Sequence, residues 1–514
     1  MRLSRLLAGL SVAGPFYAGD ATDPEISGLT HDSRRVQPGD LFVAWKGERF
    51  DGTRFAADAV AAGAVAVLGP EGSEGKRPSG VPASLPWVTA ADPHRALAPL
   101  ASRLHAHPDR ELTLAAVTGT NGKSTVAVLL QGMLQAAGRS CGLIGTLGYH
   151  FAGHRLDKGR TTPEASDFFH LLRTMRDAGA SAVSMEVSSH ALALGRVEAA
   201  AFDLAVFTNL SRDHLDFHAD MEDYFLAKRR LFGMLKEGGR AAVNLDDGYG
   251  QRLAEELPAG VVVGWGVAAG DVHLASSELD ERGIRGRFVT PRGELAFESP
   301  LVGRFNLLNL LAAVAGAEAL GLPHEAIARA IAEQPPVAGR MQPVGGGQSF
   351  PVYVDYSHTD AALTAALTAL RELTDRRLIV VFGCGGERDR GKRPIMGRVA
   401  GELSDLAILT SDNPRGEDPM TIVADVEPGL KKAGADYRVE PDRRQAIRLA
   451  IELAAADEAG GSRGAAVLIA GKGDEPVQIV GGEELPFYDH EEAMRAITEH
   501  QASGSDVEEA LGAA

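Results

Sequence analysis

Cysteine is nearly absent from this chain: Cys141 and Cys384 are the only two in 514 residues. Two cysteines so far apart make no disulfide framework and fit a reducing compartment. No 18-residue apolar span occurs, so no transmembrane helix is expected and the membrane is excluded as a partner. Basic residues are outnumbered, 52 Lys and Arg against 69 Asp and Glu, for a net charge of −17. That argues against nucleic acid as a main partner, because duplex binding is carried by basic surface. It says little about a small anionic substrate, which needs only a local basic pocket. Arg2 and Arg5 before the apolar residues 6–13 faintly resemble a secretion signal, but no convincing small-x-small cleavage site follows. A short N-terminal helix and a cytoplasmic location are the expectation. No internal repeat with a solenoid period is present.

What is there is enough chain for about three domains. The composition, 45% hydrophobic and 24% charged, is that of a globular protein. Residues 1–105 mix strand-like runs (40–45, 64–68) with a helix-like run (56–62) and read as a small α/β domain. Residues 72–86, rich in Gly, Pro and Ser, read as a loop. Residues 106–336 alternate strand and helix signals: 141–146, helical 165–178, then 182–187 and 204–208. Such alternation predicts a mainly parallel sheet with helices on both faces. Residues 337–500 carry strands near 353–354, 378–382, 406–409 and 466–469 with Ala-rich helices between, a second doubly wound unit. The small, acidic tail 501–514 reads as disordered. The fold class is thus α/β with three domains: a small N-terminal one, a central P-loop ATPase-like one and a C-terminal Rossmann-like one.

The central segment opens with Gly119-Thr120-Asn121-Gly122-Lys123-Ser124-Thr125, between an apolar run (112–117) and a helix-like stretch (125–137). A strand, a glycine-rich turn and a helix N-terminus point backbone N–H groups and a helix dipole at one spot, which favours phosphate. Lys123 adds a mobile cation for the outer phosphates, and the Ser124 hydroxyl can sit on magnesium. The spacing departs from the standard P-loop, which wants Gly where Val117 stands. A turn that merely happens to hold Lys and Ser is the alternative; the flanking strand and helix favour nucleotide.

Four clusters follow. Met185-Glu186-Val187-Ser188-Ser189-His190 and Thr208-Asn209-Leu210-Ser211-Arg212-Asp213-His214-Leu215-Asp216 each end an apolar strand. Tyr224-Phe225-Leu226-Ala227-Lys228 lies on a helix, and Gly303-Arg304-Phe305-Asn306-Leu307-Leu308-Asn309 comes last. A lone Glu or His is more often structural. Here they cap successive strands of the sheet that holds the phosphate loop, where ligands of such sheets bind. Glu186 suits magnesium, which takes oxygen ligands beside substrate phosphates. His214 is a softer donor, and chemistry alone leaves it open.

The order of these motifs resembles the Mur ligase family, ATP-dependent ligases that build the peptide of bacterial peptidoglycan. The resemblance runs from Asp32-Ser33-Arg34 and Pro38-Gly39-Asp40-Leu41-Phe42-Val43-Ala44 into the C-terminal domain. Within the family the N-terminal segment is similar to enzymes that extend UDP-N-acetylmuramoyl-L-alanyl-D-glutamate with a diamino acid. The resemblance implies that Ser33 and the stretch Glu48-Arg49-Phe50 hold the uridine nucleotide. It also implies that Thr161, Thr162, Ser188 and Arg196 grip the muramoyl dipeptide. ATP would be met by Gly119 to Thr125, Asn306, Asn309, Arg340, Asp355 and His358, with Tyr356 near the base. Ser124 and Glu186 would hold one magnesium ion and His214 a second. Lys228 in Tyr-x-x-Ala-Lys matches the family's carbamylated lysine. A neutral amine can take up carbon dioxide, and the carbamate is an oxygen ligand. Burial depresses a lysine pKa and favours that neutral form. On residue statistics alone Lys228 would be a solvated helix position.

Asp412-Asn413-Pro414-Arg415 resembles the motif of the meso-diaminopimelate-adding members; lysine-adding relatives usually lack the arginine. Meso-diaminopimelate carries a second carboxylate where lysine has only hydrogen. A guanidinium pairs with a carboxylate through two parallel hydrogen bonds, so Arg415 suits the extra group. By resemblance Arg388, Gly471 and Glu475 complete this pocket, with Glu475 facing the distal ammonium. Gly471-Lys472-Gly473-Asp474-Glu475 departs from the family's Gly-Lys-Gly-His-Glu at Asp474. Ser357 and Asp360 depart from Asp-Tyr-Ala-His-Thr-Pro. The implied reaction passes the γ-phosphoryl of ATP to the D-glutamyl γ-carboxylate, and the diaminopimelate amine attacks the acyl phosphate. ATP, the UDP-muramoyl dipeptide and diaminopimelate are the expected partners of a monomer. The rivals are an L-lysine-adding ligase, another Mur ligase, folylpolyglutamate synthetase, and a nucleotide-binding paralogue without activity. The last would be expected to lack Lys123, Glu186, His214 or Lys228; all are present.

Overall fold

The computed structural model describes residues 1–16, 23–47, 50–157, 159–459 and 464–512. Among the described residues three large sheets follow one another along the chain, and a two-stranded ribbon, Val477–Val480 with Glu483–Pro486, comes after them. The first has five strands in the order Val12–Phe16, Trp87–Ala90, Ala66–Pro70, Asp40–Val43, Gly28–Thr30, parallel apart from the Val12–Phe16 edge. Helix Pro93–Leu104 carries Leu97, Leu100, Ala101 and Leu104 inward at i, i+3, i+4 and i+7 spacing and starts on an Asp92 side-chain cap.

The central sheet has eleven strands. Its core is parallel and includes β1 (Thr113–Thr118), β2 (Cys141–Gly145), β3 (Ala182–Glu186) and β4 (Phe202–Phe207). These strands are mostly apolar and almost wholly buried because both faces are covered by helices. Register decides where the chemistry sits. Glu186 and Val206 both pair with Val117, and Phe207 pairs with Thr118, so three strand ends lie side by side. Helix α1 (Lys123–Ala136) leaves the end of β1, α2 (Met221–Arg229) follows β4, and α3 (Arg304–Ala319) packs across α1. Two antiparallel strands extend the sheet at each edge: Gly148–Phe151 with His154–Asp157, and Gly283–Thr290 with Gly293–Ser299. The βα alternation in the sequence does not foresee these extensions.

The third sheet has six strands, including β5 (Val352–Asp355), β6 (Arg377–Phe382), β7 (Leu406–Leu409) and β8 (Ala465–Ala470), all mutually parallel. Asp355 pairs with Ala470 and Phe382 with Leu409, so these strand ends also align. The last helix runs Asp489–Gly512 and so continues into 501–514, the segment read from composition as disordered; its Ala and Glu residues favour helix. Among the described residues no helix is long and apolar enough to cross a membrane.

Candidate active site

The loop after β1 takes its shape from two glycines. Gly119 has φ +152°, and a Cβ there would lie 1.8 Å from Thr208 Oγ1; Gly122 has φ +86° and caps α1. No other residue fits either place without strain. The loop is tied to the end of β4: Asn121 N–H donates to Asn209 Oδ1 at 3.0 Å, and Thr208 Oγ1 donates to Asn121 O at 2.7 Å. The first turn of α1 therefore points its N–H groups outward under a positive dipole end. The phosphate loop begins later than in the standard pattern because Val117 is still inside β1.

Two lysines converge on this loop. Lys123 Nζ donates to Thr120 O at 2.8 Å and Gly119 O at 3.1 Å; Lys228 Nζ donates to the same Gly119 O at 2.7 Å. Lys228 is 1% exposed, 4.6 Å from the Tyr224 ring centre. Burial, and then the Lys123 ammonium, hold its pKa well below the ordinary lysine range. It is not the solvated helix residue that statistics favour.

Glu186 ends β3, 2% exposed. Thr146 N–H donates to its Oε1 at 2.8 Å and Thr146 Oγ1 to its Oε2 at 3.3 Å. His214 stands at φ +54°, its ring edge-on to His190 with centres 4.8 Å apart, and His190 stacks on Phe217. The enclosed His190 is held down to about 4 by burial and by His214 and His218. Asn309 Nδ2 donates to Asn306 Oδ1 at 3.1 Å, and Asn309 faces Gly122.

Phosphate loop, Glu186, His214 and Lys228 all line one cavity of about 700 Å³. Arg160, Thr161, Thr162, Ser188 and Arg196 line its other side. Arg196 pairs with the buried Glu164 at 2.9 Å, and His94 reaches Glu164 at 3.1 Å. Thr162 is fully buried: its hydroxyl donates to Glu186 O at 3.0 Å and accepts from Ser188 N–H at 3.0 Å. Its hydroxyl braces this corner from within. Ser188 Oγ caps the helix Ser189–Ala193.

The C-terminal domain closes the cavity with Arg340, Asp355, Tyr356, His358 and Arg388. Arg340 Nη2 donates to Ser124 Oγ at 3.1 Å and its guanidinium lies 4.6 Å from the Tyr356 ring centre. Tyr356 OH donates to Glu475 Oε1 at 3.4 Å. Burial raises the Asp355 carboxyl, which accepts from Met341 N–H at 2.7 Å. Behind Tyr356, Asn413 Nδ2 donates to Glu475 Oε2 at 2.7 Å, and the buried Lys472 ammonium donates to Asn413 Oδ1 at 3.1 Å and Val477 O at 2.6 Å. Arg415 sits at φ +54° with Nη1 donating to Gly386 O at 2.8 Å. A Cβ on Gly471 would lie 2.5 Å from Asp412 Oδ2, so glycine lets the two loops meet. Asp412, Asn413, Pro414, Arg415, Gly471 and Glu475 thus gather at the ends of β7 and β8, beside the cavity that Arg388 lines.

Ser33 and Phe50 are not brought into that cavity. Ser33 starts a short turn, Ser33–Arg35, and Phe50 is exposed and edge-on to Phe55. Glu48 and Arg49 lie outside the described residues. Sequence reasoning missed Thr146, Glu164, His94 and Lys472. Thr146 follows a strand-end glycine, the one signal that could have flagged it.

The donors fit magnesium: Ser124 and Glu186 offer hard oxygen ligands to the cavity, sparse as suits an ion that keeps waters and phosphate oxygens. Among the described residues no three His, Cys, Asp or Glu form a ready-made metal cluster.

Comparison with known proteins matches three family models in chain order. Residues 25–105 match the Mur ligase family catalytic domain, 117–317 the Mur ligase middle domain, and 339–473 the Mur ligase glutamate ligase domain. The chain is 43% identical over 97% of its length to a UDP-N-acetylmuramoyl-L-alanyl-D-glutamate--2,6-diaminopimelate ligase of Solibacter usitatus, covering 98% of that protein. It is 45% identical over 98% of its length to one of the same name from Gloeobacter violaceus, covering 99%. A solved structure of a ligase with that name aligns with TM-score 0.66 and 32% identity, over 98% of this chain and 99% of the other. Models, sequence relatives and structure each span most of the chain and agree: the chain belongs to the Mur ligase family of ATP-dependent ligases.

Proposed function

We propose that the protein joins meso-2,6-diaminopimelate to the D-glutamyl γ-carboxylate of UDP-N-acetylmuramoyl-L-alanyl-D-glutamate, with ATP converted to ADP and phosphate, in peptidoglycan synthesis. The observation that carries this reading is the shared cavity. It joins a phosphate loop, a peptide-side wall of Thr161, Ser188 and Arg196, and a C-terminal wall from Arg340 to Arg388. Asn306 and Asn309 brace the loop, and Arg340, Asp355 and His358 face the nucleotide. Lys123 offsets phosphate charge, which otherwise repels the attacking carboxylate. Magnesium adds charge neutralisation when bound, held by Ser124 and Glu186, with His214 and Lys228 serving a second ion. Lys228 serves as a carbamate: its neutral amine bonds to the carbon of carbon dioxide and loses a proton. The acceptor amine comes from the C-terminal side, where Arg415 and Arg388 suit the extra carboxylate, Glu475 and Asn413 the distal ammonium, and Asp412, Pro414 and Gly471 shape the loops. Ser33 and the Glu48-Arg49-Phe50 stretch serve the uridine nucleotide. The protein is read as a monomer working in the cytoplasm.

The test is phosphate release with ATP, magnesium and the UDP-dipeptide, with meso-diaminopimelate in one tube and L-lysine in another. Turnover with diaminopimelate alone is expected. Turnover with lysine alone would retain the family and overturn the pocket assignment; turnover with neither, in folded protein that binds ATP, would overturn the reaction.

A further inference from the structure

We propose that Thr146 is a positioning residue that carries occupancy of the peptide side of the cavity to the Glu186 carboxylate. This rests on the reading of the cavity just given. Thr146 opens the two-residue turn between β2 and the antiparallel strand Gly148–Phe151. Its backbone and its hydroxyl hold one carboxylate oxygen each, Oε1 at 2.8 Å and Oε2 at 3.3 Å. The same hydroxyl lies 3.1 Å from Thr161 Oγ1. Gly145 makes the approach possible, because a Cβ there would lie 2.4 Å from Glu186 Oε1.

Proton counting orders the chain. An ionised carboxylate only accepts, and a threonine hydroxyl has one proton. Thr146 therefore donates to Glu186, and Thr161 donates to Thr146. Thr161 lines the cavity and is left with lone pairs alone, so it meets a donor on the ligand, such as a peptide N–H or a sugar hydroxyl. A donor arriving at Thr161 polarises the chain in the direction of Glu186 and strengthens each bond along it. The carboxylate is then held in one orientation when the acyl substrate is seated.

The test is calorimetric binding of magnesium with a non-hydrolysable ATP analogue to the full chain, with and without saturating UDP-N-acetylmuramoyl-L-alanyl-D-glutamate. In the unaltered chain the UDP-dipeptide should tighten metal–nucleotide binding. Thr146→Val keeps the side-chain shape and should weaken that binding about fivefold, the factor a hydrogen bond of ordinary net worth supplies, and abolish the tightening. Thr161→Val should weaken UDP-dipeptide binding and abolish the tightening even where the UDP-dipeptide saturates, and Thr146→Ser should restore both the metal–nucleotide affinity and the tightening that Thr146→Val loses. Tightening that survives in Thr146→Val, or a Thr146→Ser that behaves like valine, overturns the proposal. If Thr146→Val folds poorly, tightening retained by Thr161→Val overturns it instead. Binding without tightening in the unaltered chain overturns this proposal alone; no metal–nucleotide binding at all overturns the reading of the cavity as well.

Discussion

Lys228 shows at the scale of one residue what a sequence does and does not disclose. Its cation alone suggests solvent. Yet Tyr224, Phe225 and Lys228 share the i, i+1, i+4 stripe that α2 buries, so periodicity held the signal that residue type hid. What no pattern could show is the second lysine sharing Gly119 O. Lys228→Met keeps the apolar stem and should leave folding intact while turnover falls at least about a hundredfold, the scale of losing a charge stabiliser at the reacting centre. Labelled bicarbonate should give a carbamate carbon signal in the unaltered protein and none in the variant; turnover within twofold of normal would refute the role. A residue far from the site contributes to acid sensitivity. His105 is 8% exposed and edge-on to His170, and burial, then the charges of His170, Arg173 and Arg176, holds its pKa down to about 4. An unfolded histidine titrates near 6.5. Between those values the unfolded chain binds a proton that the folded one refuses, so stability falls as pH drops from about 6.5 through 4, by on the order of 3 kcal/mol in full. His105→Gln should flatten the fall of the urea midpoint across that window; an unchanged slope would show that other groups dominate.

At the scale of elements, the buried parallel strands were legible because strands covered on both faces are short apolar runs. β1, β3 and β6 lie where those runs predict. The antiparallel strands at the edges of the central sheet were not, because a half-exposed strand such as Gly293–Ser299 alternates buried and exposed residues, and only pairing lifts so short a pattern above loop. The phosphate loop was read as phosphate-binding despite Val117, but Asn309 as the wall behind it is a product of packing α3 over α1. That packing makes a prediction. Gly122→Ala would put a Cβ 2.3 Å from Asn309 Oδ1 at φ +86°, with about 1–2 kcal/mol of left-handed strain besides. If the loop gives up its phosphate-binding shape to relieve that strain, ATP affinity should drop about five- to thirtyfold, as titration calorimetry would read. Unaltered affinity would mean that the loop does not cradle the phosphates.

Across the whole molecule, the three-domain order was readable from composition shifts and motifs, whereas the contacts between domains were not. Arg35 reaches Asp167 from the first domain to the second at 3.0 Å, and Arg340 reaches Ser124 from the third to the second at 3.1 Å. The second contact continues through Tyr356 to Glu475, so the Gly119–Thr125 loop and the pocket proposed for the incoming amino acid are linked by consecutive side chains. Arg340→Ala should lower turnover about a hundredfold while leaving the melting temperature close to normal; full turnover in a folded variant would rule out coupling through this arginine. The alignment of strand ends in the third sheet has a further consequence. All the loops assigned to the incoming amino acid leave one sheet, at Phe382, Leu409 and Ala470, and the phosphoryl-transfer loop leaves another, at Thr118. On the proposed reading, a change of the monomer joined is a matter of three loops on one sheet, while the Gly119–Thr125 loop on the other sheet stays as it is.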